Sequence, residues 1–119
     1  MSQVEVQEVE AQEHEYELTV EQLKHKIKRL DALNKLRQNA DFKFLIEDNY
    51  LKEESQRLVL LRGDSNLSKE SQENLIKEID AIALFFSFLR TVNIEGHNAK
   101  GYLDEYEIAL AEVNAGEGI

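Results

Sequence analysis

Three features of this 119-residue chain predict an all-α protein. Proline is absent and glycine occurs only five times, so the residues that build tight turns and long irregular loops are scarce. Leucine, isoleucine, alanine, glutamate and lysine are abundant, and from Val20 onward apolar residues recur at spacings of three and four, which gathers them on one helical face. The expected architecture is an amphipathic helix followed by a long antiparallel helical hairpin, preceded by a disordered acidic tail. The boundaries expected are 1–17 for the tail and 18–119 for a single helical domain.

Residues 1–17 carry six glutamates and no lysine or arginine, with Val4, Val6, Val9 and Tyr16 as the apolar groups. Such a stretch buries too little apolar surface to offset the entropy of ordering it. The first helix is expected over about 19–38. Thr19 and Gln22 have the spacing of a capping box, in which hydroxyl and amide satisfy free N–H groups of the first turn. Leu23, Ile27, Leu30, Leu33 and Leu36 follow one face, and the other face is basic, with Lys24, Lys26, Lys28, Arg29, Lys35 and Arg37 outnumbering Glu21 and Asp31. The apolar seam is too short for a sustained zipper, so short coiled-coil-like packing is expected.

A second helix is expected over about 41–62, after cap residues at Asn39 to Asp41. Its ends are apolar, and Asp48 with Lys52 and Glu53 with Arg57 have the i,i+4 spacing of supporting ion pairs. Gly63 is placed to close the helix in the left-handed conformation, and Ser68 to cap the next one. The short connection between them implies an antiparallel hairpin.

The third helix, about 68–113, is the longest. Leu75, Ile79, Ile82, Phe86 and Leu89 share a face, while Leu84, Phe85 and Phe88 add apolar surface elsewhere, so residues 81–89 call for burial nearly all round. Either the rest of the chain or another chain must supply it. Gly96 and Gly101 weaken the helix by about 1 kcal/mol each relative to alanine, which makes a kink possible over 96–101. Tyr102, Leu103, Tyr106 and Leu110 nevertheless resume the helical pattern. A single helix over 69–113 would be about 68 Å long, more than a small monomer can cover.

The chemistry-bearing patterns are sparse. With no cysteine, disulfide scaffolds and cysteine-based zinc sites are excluded. Glu10 with His14 and Glu21 with His25 have a spacing that could face one ion on a helix, yet no second set converges on either, and lysines surround His25. His97, near two glycines, has no carboxylate or nucleophile fixed beside it by sequence. No serine lies in a nucleophile elbow and no glycine-rich phosphate loop occurs. Arg62-Gly63-Asp64 spells an adhesion tripeptide, but helix termination and turn opening account for these residues. No enzymatic activity, cofactor, metal or small-molecule substrate is expected.

The net charge of −10 argues against general nucleic-acid binding, which needs cations against phosphates. The basic face of the first helix lacks interleaved aromatics and is read as a solvated surface. The most apolar window, residues 81–89, is about half the length of a membrane span, and residues 1–17 lack the basic and apolar regions of a secretory signal. The strongest positive signal is the apolar excess. Leu84, Phe85, Phe86, Phe88, Leu89, Tyr102 and Tyr106, with Leu23, Ile27 and Leu30 on the first helix, are therefore the candidate interface residues.

The stretches Asp41-Phe-Lys-Phe-Leu-Ile-Glu-Asp-Asn-Tyr-Leu51, Ser55-Gln-Arg-Leu-Val-Leu-Leu-Arg62 and Ile79-Asp-Ala-Ile through Phe88-Leu-Arg90 together resemble small all-helical proteins of tailed bacteriophages, over the last two thirds of the chain. The resemblance is one of helical pattern and carries over no functional residue. It implies a non-catalytic structural or assembly role, with self or other virion proteins as partners and the virion or host cytoplasm as location. The competing expectation is an acidic regulatory or inhibitor protein that binds a host factor through charge, with affinity that falls steeply in salt.

Overall fold

A computed structural model describes residues 19–117. The expected acidic tail, with His14, lies outside them. Among the described residues every regular element is helical: α1 (Val20–Gln38), α2 (Ala40–Phe42), π1 (Lys43–Glu54), α3 (Ser55–Leu61) and α4 (Lys69–Glu117).

Local hydrogen bonds account for the element boundaries. Thr19 N–H donates to Gln22 Oε1 at 2.9 Å and Gln22 N–H donates to Thr19 Oγ1 at 3.2 Å, a reciprocal capping box. Asn39 Oδ1 accepts from Phe42 N–H at 3.0 Å, and Ser68 Oγ from Ser71 N–H at 3.1 Å, starting α2 and α4. Between α3 and α4, Asp64 Oδ1 accepts from Asn66 N–H at 2.9 Å, a side-chain turn that occupies the acid of the Arg-Gly-Asp tripeptide.

Three local expectations are corrected. Gly63 is not left-handed, because none of the described residues has positive φ. The helix ends instead by tightening, as Gly63 N–H donates to the Leu60 carbonyl and Asp64 N–H to that of Leu61, which satisfies orphan carbonyls without reversing the backbone. The segment from 41 to 62 is also not one α-helix, since residues 43–54 wind as a π-helix with i→i+5 bonding. The i,i+4 logic of ion pairing assumes α-helical turns, and the expected pairs do not form. Arg57 binds Glu54 in place of Glu53, and Lys52 has no ion-pair partner among the described residues. Ser55 closes the wide turns by donating to the carbonyls of Leu51 at 2.8 Å and Lys52 at 2.9 Å, a back-bond that competes with regular helix pairing.

Helix α4 runs through Gly96 and Gly101 without interruption. A Cβ added at Gly101 would meet nothing within 4 Å, so this glycine is not required by a close approach.

The chain groups into two compact units. The larger is Arg29–Ile94. Its core joins Leu58, Leu75 and Ile82, with Tyr50, Leu51, Leu61, Leu67 and Ile79 packed against them. The Tyr50 and Phe85 rings meet edge to face at a centroid distance of 5.9 Å, a geometry that sets the positive edge of one ring on the negative face of the other. Leu30, Leu33 and Val92 are also buried in this unit. The second unit combines the described residues up to Lys28 with those from Glu95 onward. Leu23, Gly96 and Ala99 are its buried positions among the described residues, and Lys26 lies 3.8 Å from Glu95.

Candidate interaction surface

The ten residues read from the sequence as interface candidates divide by burial. Leu23 and Leu30 are buried by the chain itself and Ile27 is half-buried, so the apolar face of α1 is core as far as Leu33, while Leu36 at its end is exposed. Phe85 and Leu89 are half-buried, Phe85 by its contact with Tyr50. The other five are exposed: Leu84 at 72%, Phe86 at 55%, Phe88 at 54%, and Tyr102 and Tyr106 at more than half. The chain therefore does not enclose residues 81–89 all round. A helix packed on one side buries a stripe along that side, here Leu75, Ile82, Phe85 and Val92, and leaves Leu84 and Phe88 outside it.

The basic face of α1 is partly spent within the chain. The Arg29 guanidinium lies 5.5 Å from the Phe88 ring centroid, a cation–π contact that partly covers that ring. Arg37 Nε donates to Glu47 Oε1 at 3.2 Å, and Lys26 approaches Glu95. Three of the six cations on which a polyanion-binding reading would rest thus already face aromatic or acidic partners.

Arg29–Ile94 also contains a recess of about 530 Å³. Leu33, Leu51, Phe86 and Leu89 provide its apolar lining, and Arg37, Lys52 and Arg90 its cations. Its single carboxylate, Glu47, is engaged by Arg37. Ser55 also lines it, but its hydroxyl is committed to backbone carbonyls and no histidine lies alongside. The arrangement suits an apolar, negatively charged occupant and offers no assembled nucleophile and base. Outside the recess, on π1 and α3, Arg57 grips both carboxylate oxygens of Glu54. That hydrogen bonding, more than the charge itself, holds the Glu54 carboxyl below its usual range and raises the Arg57 guanidinium.

Sequence reasoning did not single out Phe44, Leu45, Val59 or Leu60 as exposed, and Leu60 is the most exposed of them at 80%. The signal was present in the run Leu58-Val59-Leu60-Leu61, because four consecutive apolar residues cannot share one helical face. The recess cations Lys52 and Arg90 were also missed, since they come together only when π1 packs beside α4.

Among the described residues, no cluster of three or more histidine, aspartate or glutamate side chains could hold a metal ion, and no helix is long and apolar enough to cross a membrane. Comparison with protein-family models, curated proteins and solved structures finds no significant match to this chain.

Proposed function

We propose that this chain is a non-catalytic structural or assembly protein that associates through apolar helix faces, as an oligomer or on a larger virion assembly. The observation that carries the reading is the exposure of Leu84 and Phe88 side by side on the outer face of the apolar stretch of α4, with Phe86 exposed in the recess on the other side. Aromatic and aliphatic groups gathered in this way are the composition of an interface core, and leaving them in water costs about 25 cal/mol for each Å² that a partner would cover.

In this reading the segments on either side of residues 62–68 form an antiparallel hairpin. The Leu58, Leu75 and Ile82 cluster is its inner seam, and its outer aromatic side is covered by a neighbouring chain. The resemblance of residues 41–90 to helical proteins of tailed bacteriophages supports a virion assembly as the partner, with the virion or the host cytoplasm as the location. Sedimentation equilibrium of the full chain over a hundredfold concentration range is expected to show a mass that climbs above that of one chain. A single 13.8 kDa species throughout, with no binding to purified particles, overturns the reading.

A further inference from the structure

The recess of Arg29–Ile94 and the end of α4 are complementary surfaces. Arg37 is offset by Glu47, so the recess presents Lys52 and Arg90 as net positive charge, and neither side chain has an ion-pair partner among the described residues. The recess also has an apolar lining that includes Leu51, Phe86 and Leu89. Its volume falls in the roughly 300–1,000 Å³ range of binding recesses.

The last turns of α4 have the opposite character. After Lys100 the chain contains no lysine or arginine, whereas Asp104, Glu105, Glu107 and Glu112 follow. Tyr102, Tyr106, Leu110 and Val113 are exposed and spaced i, i+4, i+8 and i+11, one stripe along the helix. At about 100° per residue, Glu105 and Glu112 border the stripe on one side and Glu107 on the other. The result is an apolar ridge with acidic borders.

We propose that residues 102–113 of one copy dock in the recess of a second copy, with the Tyr102 and Tyr106 side of the ridge on the apolar lining and the bordering glutamates against Lys52 and Arg90. The proposal rests on the reading of the protein as self-associating, and it names the two surfaces that meet. Phe86, Leu89 and Arg90 belong to α4, as does the ridge. Because recess and ridge are different surfaces, every copy offers one of each. The contact is therefore head to tail, and it propagates into a closed ring or an open filament.

Mixing two broken copies of the full chain tests this. Lys52→Glu with Arg90→Glu spoils the recess, and Tyr102→Ser with Tyr106→Ser spoils the ridge. All four side chains are exposed, so helicity by circular dichroism should match the parent. Arg90→Gln, and separately Glu105→Lys with Glu107→Lys, are the substitutes if either double variant loses helicity. By sedimentation velocity the parent is expected to exceed two chains per particle, and each variant alone to associate about tenfold more weakly or worse. An equimolar mixture should regain a complex that stops at two chains, since one intact recess and one intact ridge remain. Association that survives in both variants, or a mixture that restores nothing, overturns the docking while leaving self-association standing. A parent that stays monomeric at every concentration overturns both. If the parent is monomeric but an unrelated acidic helical peptide binds and is lost with the recess variant, the recess belongs to a different partner and the proposal fails.

Discussion

Leu30 and Leu84 are the same side chain in opposite environments, fully buried in one case and 72% exposed in the other. Truncating Leu30 removes buried methyl groups and leaves a cavity, so Leu30→Ala is expected to cost about 2–5 kcal/mol. In dilute solution Leu84→Ala should stay within about 0.5 kcal/mol of the parent. Urea denaturation of the two variants side by side checks the pair, and equal losses would mean that Leu84 is not a surface residue. Caps belong to the same level of detail. Thr19, Asn39 and Ser68 each satisfy an N–H that would otherwise lack a partner, and all three were readable because capping depends on residues three positions apart. The Arg57 partner was not readable in that way. Glu53 and Glu54 are adjacent in sequence, and only the helical winding around them decides which carboxylate the guanidinium reaches.

Helix α4 shows how an element tolerates poor local propensity. Its 49 residues include Gly96, Gly101 and Gly116, yet its hydrogen bonding continues through all three. Gly101 has open space around its Cα, so alanine there should relieve the entropic cost of glycine without a clash. Gly101→Ala is expected to stabilise the chain by about 0.5–1 kcal/mol, read as a higher denaturation midpoint. A fall in stability would show that the helix does not pass straight through this residue. The π-helix from Lys43 to Glu54 is the contrasting case. Nothing in its composition separates it from an α-helix, and π turns are rare enough that no local sequence pattern calls for them. Its packing puts Tyr50 against Phe85 and carries Glu47, Leu51 and Lys52 to the recess.

The molecule as a whole separates its charge and its apolar surface along the chain. Residues 1–17 are purely acidic and residues after Lys100 are acidic again, while the first helix is basic. Association that buries the exposed aromatics of native α4 binds the folded chain and not the unfolded one, so it stabilises by mass action. The thermal midpoint is accordingly expected to rise with protein concentration, checked by calorimetry from micromolar to millimolar. A midpoint independent of concentration would mean that folding and association are not linked. The sequence by itself determined the helical class, the N-cap positions and the excess of apolar residues at 81–89, because each depends on neighbours a few positions away. Which of those residues became core was decided only by the tertiary structure. Leu58 meets Leu75 and Ile82, and Tyr50 meets Phe85, across gaps of many residues, and a helix can bury only the side that its partner covers. The same long-range packing brings Lys52 and Arg90 to one recess, because charges distant in sequence become one electrostatic feature only when the elements that carry them are adjacent.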